Sequence, residues 1–525
     1  MRIAPLTAAL VLALASVCAP AQETRLPDIG SSAGELLTPA RQEQYGAMML
    51  AQLRQYDYLL EDPLLDQWLD ALGNRLATHS DQPGQSFNFF LIKQRQINAF
   101  ATLGGYIGVN AGLVLAAERE DEVAAVMAHE VAHVTQHHVL RGVERAQRDQ
   151  LPILLAMLGA VAAASASDSR SGGNAAQAAI ISAMGLMQQR QIDYTRSNEH
   201  EADRLGIQTL ARSQYDPVAM ADFFGTLQTR SRANAAGYYD TPEYLMTHPV
   251  TTTRITEAKQ RAEQIAAAPR GFTGSVGGSD NPLLPEGFRL PAPGLRSEGT
   301  GDFEFARERM RVLTANTPGE AVREYAQIQA SGTLDAAQQY GFAVARLRDN
   351  QATAARESLQ QLLEARPGDP WVTLALAEAE ARSGRSASAD SRLEALLRNS
   401  PNDRAAALTY AALLAERNSE EAGKRAQAVL RPLLGQSDED AVFQRTFARV
   451  SDIAGDVVRA GEAHAEAAFL NGRPEQALVQ LNTLKQRPEV DYYARARIES
   501  RIAAITPTVL ELKRQGIRDE DLGRR

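Results

Sequence analysis

The chain has 525 residues, 44% hydrophobic and 23% charged, with 55 basic side chains against 64 acidic ones and a formal charge of −9. At roughly 100–200 residues per domain it holds about two to four domains, and 37 Gly with 23 Pro exclude a collagenous or low-complexity chain. The acidic balance argues against nucleic-acid binding, and the single cysteine excludes an internal disulfide, a multi-thiolate zinc site and a CxxC pair, so metal chemistry must rest on His, Asp and Glu.

Residues 1–21 read as a secretory signal peptide: Arg2 is the positive start, residues 6–15 are almost entirely apolar, and Ala19-Pro20-Ala21 fits the cleavage pattern. Cys18 leaves with it; acylation of Cys18 is disfavoured by Val17 before it. A mature chain starting at residue 22 has no cysteine, which suits an oxidising compartment. Over residues 40–80 the apolar spacing of Met48, Met49, Leu53, Leu60, Leu64, Leu65, Trp68, Leu69, Leu72 and Leu76 is helical. Residues 87–92 and 97–101 read as strands, Gly104-Gly105 as a turn, and 106–110 as the returning strand. Glu120, Asp121 and Glu122 open a helix that is expected to run through His129 and His133 to about residue 147. The charge run 118–122 reads as its solvated start.

Two apolar runs follow, 151–166 and 175–187, each shorter than a membrane span of about 20 residues. The expectation is a lid or plug beside a cleft; an interfacial hairpin is the alternative. A helix covers about 195–213. Residues 267–301 are rich in Gly, Pro and Ser and read as a linker. Beyond residue 318 the chain is helical with a period of 34 residues: Pro367 and Pro401, Leu374 and Leu408, and the turn residues Asn350, Gly384 and Asn418. This is tetratricopeptide (TPR) spacing, and Gly455 and Gly472 mark later turns. Such units stack into a solenoid with a concave face.

The chemistry is carried by His129-Glu130-Val131-Ala132-His133, an HExxH motif. Residues i and i+4 share a helix face, so both imidazoles reach one zinc ion. Glu130 is placed to take the proton of a water acidified by the metal, for attack on a peptide carbonyl. A third histidine ligand at position 139 is excluded, because Gln136 and Val139 break the extended motif. The third ligand is sought in Glu199-His200-Glu201-Ala202-Asp203. Glu199 and Asp203 share a face; Glu199 suits ligation and Asp203 suits the free N–H of a ligand histidine. Glu201 is the alternative ligand, and His200 reads as exposed. His137 and His138 read as polar face residues, and Tyr106 and Tyr194 as packing. His79 and His464 receive no role.

HExxH, the run 198–204 and Thr247-His248-Pro249 resemble the zinc peptidase family that includes HtpX and the CAAX prenyl proteases. A signal peptide and C-terminal repeats narrow the resemblance to its periplasmic members in Gram-negative bacteria, which serve outer-membrane protein assembly as protease and chaperone. The resemblance implies one Zn2+ per chain on His129, His133 and Glu199, with Glu130 as general base. It also implies that His248 can take the fourth position and hold the enzyme latent; the alternative is that His248 only hydrogen-bonds near the site or stabilises the transition-state oxyanion. Glu130, Asp203 and His248 form the catalytic set, and Arg254 anchors the loop of His248. Asn98, Ala99, Phe100 and Ala101 resemble the family's edge strand, which binds substrate by β-augmentation.

The expected fold is an α+β zincin-like metalloprotease domain, mostly helical with a small antiparallel sheet, followed by an all-α TPR solenoid. The expected divisions are 1–21 signal peptide, 22–267 peptidase, 268–317 linker and 318–525 repeats. Expected partners are unfolded or stalled outer-membrane proteins as substrates and the outer-membrane assembly machinery in the TPR groove. Nucleic acid is not expected, and peripheral contact with a membrane stays open. The alternative function is a non-proteolytic TPR chaperone or adaptor with a structural or latent zinc site.

Overall fold

The computed structural model describes residues 37–142, 144–145, 194–235, 243–267 and 299–514. The expected signal peptide and the two apolar runs of 151–187 lie outside the described residues. Among those described, no helix is long and apolar enough to cross a membrane.

Helix α1 (Pro39–Gln55) and helix α2 (Pro63–Thr78) each begin with Pro at the first turn, where its missing N–H costs nothing. Thr38 and Asp62 cap them by accepting from the backbone N–H of Arg41 and Leu65. Helix α2 buries Leu64, Leu65, Trp68, Leu69, Leu72 and Leu76, most of the periodic set. Strands β1 (Asn88–Ile92), β2 (Ala99–Ala101) and β3 (Tyr106–Asn110) form one sheet in the order β1-β3-β2. The expected antiparallel pair is β2 with β3; β1 adds to the other side of β3 in parallel. Strand β2 is therefore an edge. The left-handed backbone at Gly104 and Gly105 makes the turn.

A short helix α3 (Ala111–Ala116) leads into α4 (Glu120–Thr135), which is buried along nearly its whole length. The run 118–122 is solvated only in part: Glu118 and Arg119 are exposed, as read, but two carboxylates of the first turn are not. Glu120 and Glu122 are 6% and 4% exposed. Glu120 accepts from Trp68, Tyr215 and Thr300, and Glu122 from the N–H of Glu118, so each buried carboxylate is satisfied by partners distant in sequence or at the helix end. Nor does the helix run to 147. It ends at Thr135, and His137 takes a left-handed conformation (φ 53°) before a new helical turn begins at His138.

Helix α5 (194–212) crosses α4 at Gly206, where an added Cβ would lie 3.2 Å from the N of His129. Helices α6 (Ala219–Ala235), α7 (Glu243–Thr247) and α8 (Thr252–Ala267) complete the N-terminal half.

The expected linker, 268–317, holds a buried helix at its C-terminal end. This is α9 (Phe303–Leu313), which buries Phe303, Phe305, Met310 and Val312. Phe303 packs beside Trp68 of α2, with ring centroids 6.4 Å apart. The period of Phe303, Phe305 and Met310 follows a Gly/Pro/Ser run, which hid it. Antiparallel pairs then follow: α10 (Pro318–Ser331), α11 (Ala336–Arg348), α12 (Ala352–Ala365), α13 (Pro370–Arg382), α14 (Ser386–Asn399), α15 (Arg404–Glu416), α16 (Glu420–Leu430), α17 (Ala441–Ile453), α18 (Val457–Leu470), α19 (Pro474–Leu484) and α20 (Tyr492–Arg514). Asn350, Gly384, Asn418, Gly455 and Gly472 all have φ between 49° and 82°, the helix-terminating conformation that Gly and Asn tolerate.

One apolar core runs from α2 and the sheet through α9 into the repeats as far as Ala463. Asp62 holds Arg309 of α9 through two bonds of 2.7 Å, and Asp66 meets Arg404 of α15 at 3.3 Å. The solenoid is thus seated on the capped end of α2.

Candidate metal centre

Helix α4 presents His129, Glu130 and His133 to the interior; His129 is fully buried and Glu130 is 1% exposed. Helix α5 supplies Glu199 and Asp203, and the residue after α7 is His248, itself 9% exposed. One donor atom from each of His129, His133, Glu199 and His248 lies within 4.8 Å of the others. The Nε2 atoms of His129 and His133 are 2.9 Å apart. His129 Nε2 is 3.4 Å from His248 Nδ1 and 3.4 Å from Glu199 Oε2. His133 Nε2 is 3.4 Å from Glu199 Oε1, and His248 Nδ1 is 2.9 Å from the same oxygen. Tetrahedral ligands about 2.0–2.1 Å from zinc are separated by about 3.3 Å, so the four donors fit one such ion.

The charges lead to the same conclusion. Burial disfavours an imidazolium at His129, but Asp203 and Glu199 outweigh it and lift the ring to about 10. Burial also works against the Glu199 carboxylate, yet hydrogen bonds from His129, His133 and His248 hold it far below the usual range. Glu199 and Asp203 draw positive charge into the pocket, and Arg254 supplies part of it. A metal ion would meet the rest of that demand, since ligation needs neutral His and ionised Glu.

Asp203 and Arg254 brace the ligands. His129 Nδ1 lies 3.0 Å from Asp203 Oδ1, close but off the line of a straight N–H bond. Arg254 donates twice to Asp203 (2.6 and 2.7 Å), approaches Glu199 Oε2 at 2.9 Å and donates to the carbonyl of Pro249. It therefore ties the His248 loop to α5, as expected of it. Burial pushes Asp203 up, and Arg254 with His129 brings it below the ordinary carboxylate range. Glu130 Oε1 has no hydrogen-bond partner among the described residues and lies 3.7 Å from His248 Nε2.

Beside this centre, Tyr244 stacks on His248 with centroids 4.8 Å apart, and its backbone N–H donates to the carbonyl of Ile97, next to β2. Asn98 and Ala99 are buried, while Phe100 and Ala101 are partly exposed. In the β2–β3 register Asn98 and Thr102 bond to β3, so the N–H and C=O of Ala99 and Ala101 point to the other side of β2, where Ala99 is fully buried and Ala101 partly exposed.

Two site residues, His138 and Tyr194, differ from the sequence reading, and Glu201 lies off the donor face as the leading reading had it. His138 is not a polar face residue: it is 4% exposed, and its Nδ1 lies 2.8 Å from Nδ1 of His133. Glu201 sits away from the four donors, 3.0 Å from His138 Nε2 and bonded to Arg141. Burial, with His133 adding to it, lowers His138 to about 4, so this ring is neutral. Tyr194 is more than packing, since its hydroxyl donates to the carbonyl of His138. No periodicity could place His138 there, because the break at His137 resets the helix phase. His200 is half-exposed and faces Glu257 at 3.1 Å.

Residues 63–262 match the model of peptidase family M48, and residues 346–415 match a tetratricopeptide repeat model. The chain is 34% identical over 385 residues to a putative beta-barrel assembly-enhancing protease of Vibrio cholerae, covering 72% of each. It is 34% identical over 348 residues to the beta-barrel assembly-enhancing protease of Escherichia coli K12, covering 66% of this chain and 64% of that one. With the same-named protein of Yersinia pestis it shares 30% identity over 497 residues, 92% of each. A mitochondrial metalloendopeptidase of Arabidopsis thaliana, OMA1, is 26% identical over 215 residues. With its HExxH helix, its repeats and relatives matched over most of their length, the chain belongs to the M48 metallopeptidases, in the group of the beta-barrel assembly-enhancing proteases.

Proposed function

We propose that the chain is a zinc-dependent endopeptidase of the Gram-negative periplasm that cuts unfolded or stalled outer-membrane proteins and also acts on them as a chaperone. One observation carries this reading: four buried donors from three separate segments converge at ligand spacing, with the unpartnered carboxylate oxygen of Glu130 beside them. His129, His133 and Glu199 would hold the ion, and two imidazoles with one carboxylate are a zinc donor set. Bound there, zinc supplies Lewis acidity, polarising a peptide carbonyl and acidifying a water to a pKa of about 7. Glu130 takes the water's proton and hands it to the departing amine. Asp203 and Arg254 hold His129 and Glu199 in place. The unpaired side of β2, accessible at Ala101, would align an extended chain by backbone pairing, which tolerates any sequence.

Replacing Glu130 by Gln leaves the donors intact and removes the base. The Glu130→Gln chain is expected to bind one zinc while cleavage of unfolded substrate falls by at least about 100-fold. Undiminished cleavage by that variant would refute the mechanism.

His248 favours a second, latent state of the same site. A four-ligand site is closed, whereas catalytic zinc keeps a position open. With His248 as fourth ligand the chain is inert until its loop swings away. Tyr244 links that loop to Ile97, so a peptide pairing beyond β2 competes for the carbonyl that holds it. A purely structural zinc in a non-proteolytic adaptor predicts the opposite of a gate: His248→Ala would lose fold and gain no activity.

On the repeat side, a cavity of about 1070 Å³ opens between α1 and the last helices, lined by Met48, Tyr56, Phe447, Phe469, Leu481 and Ile498. Its size and its mixed lining, in which Glu439, Glu462, Glu466, Arg459, Arg497 and Arg501 stand beside those apolar side chains, support docking of the outer-membrane assembly machinery there.

A further inference from the structure

From the contacts of His133 we infer that His138 and Glu201 form a positioning relay for that metal ligand, fixing its tautomer and its orientation. This inference rests on the reading of His133 as a ligand through Nε2. It concerns residues outside the four donors and outside HExxH.

The hydrogen-bond bookkeeping leaves one arrangement. An imidazole that gives the Nε2 lone pair to a metal carries its proton on Nδ1. Among the described residues His133 Nδ1 faces one ring atom at bonding distance, Nδ1 of His138 at 2.8 Å. His133 therefore donates and His138 Nδ1 accepts. His138 must then carry its own proton on Nε2, which points at Glu201 Oε2, 3.0 Å away. That carboxylate oxygen also accepts from Arg141 Nη2 at 3.0 Å. Each ring nitrogen of the relay thus has one partner and one role.

The backbone is built for it. In an unbroken helix, residue 138 would sit about 140° around the axis from residue 133, on another face. The left-handed His137 ends α4 and folds the chain back, so that His138 lies under His133. The hydroxyl of Tyr194 then pins the returned turn through the carbonyl of His138. The two histidine ligands are served differently. His129 faces an anion directly, Asp203; His133 faces a neutral ring that is itself backed by an anion. Partners of this kind govern affinity by about 10–100-fold when removed.

The test is zinc affinity of the full chain, measured by competition with a chromogenic chelator, beside far-UV circular dichroism of the metal-free protein. His138→Phe keeps a ring but removes acceptor and donor; zinc affinity is expected to fall about 10–100-fold. His138→Asn restores an acceptor near the Nδ1 position and is expected to recover most of the loss. Glu201→Gln keeps an acceptor for the His138 ring without the charge and should fall between. Nitrogen chemical shifts of His133 should report Nδ1–H in the wild type and tautomer exchange in His138→Phe. Wild-type affinity in His138→Phe, or no recovery in His138→Asn when both are folded, overturns the relay. If His138→Phe fails to fold, Glu201→Gln decides: affinity equal to wild type overturns the relay. A wild-type chain that binds no zinc overturns the metal centre itself, which separates the two failures.

Discussion

Arg254 is the residue on which the centre's charge balance turns. It is 2% exposed and faces two buried carboxylates, Asp203 and Glu199. Breaking a buried pair by removing one partner leaves an uncompensated charge and costs about 3–5 kcal/mol. Arg254→Met should therefore melt well below wild type in the metal-free state. Zinc should restore part of the loss, because it takes over Glu199. An unchanged melting temperature without metal would contradict this role. At this scale the sequence was readable where chemistry follows helical spacing. HExxH and the Glu199–Asp203 pair need only i and i+4. His248 required the family resemblance, since nothing local marks it. His138 escaped because one left-handed residue changed which face it occupies.

Helix packing sets the ligand distances. Helix α5 comes close to α4 because Gly206 has no side chain: an added Cβ would meet the Cε of Met220 at 3.0 Å and the N of His129 at 3.2 Å. Ala132, Ala202 and Leu205 fill the space beside this crossing. Gly206→Ala should push the helices apart by a few tenths of an ångström, at about 1–3 kcal/mol for overpacking. Because His129 and Glu199 ride on the two helices, zinc affinity should fall along with thermal stability. A drop in stability at unchanged affinity would separate the crossing from the centre. The same scale shows why the strands and the repeats could be read. Turn glycines and asparagines recur at fixed spacing and adopt the conformation they favour. The burial of Glu120 could not be read, because its partners Tyr215 and Thr300 arrive from far along the chain.

Across the whole molecule, the seat of the solenoid on α2 is rich in acid. Asp66 and Asp70 share a helix face and Arg404, which also pairs with Asp440 at 2.6 Å. Burial pushes Asp66 up to about 8, against the pull of Arg404. The Asp66 side chain keeps 25% of its surface, so water tempers the shift without reversing it. An acid with a raised folded-state pKa binds its proton more tightly when folded. Its contribution is therefore greatest near pH 4 and is lost as pH rises toward 8. The melting temperature should fall across that window. Asp66→Asn should flatten the fall and melt about 2 °C higher than wild type at pH 8. A wild-type profile rising from pH 5 to 8, with Asp66→Asn no different, would refute this. None of this seam was legible, since α9 lay within an expected linker and one of its arginines, Arg309, meets Asp62 only in the folded chain.

The decisive comparison is digestion of a denatured outer-membrane protein by two zinc-loaded variants, His248→Ala and His248→Ala with Glu130→Gln. Both should bind one zinc per chain. The single variant should cut faster than wild type, and the double variant should not cut. Equal cutting by both would show that Glu130 is not the base. No cutting by either, with zinc bound and substrate unfolded, would show that the site is not proteolytic.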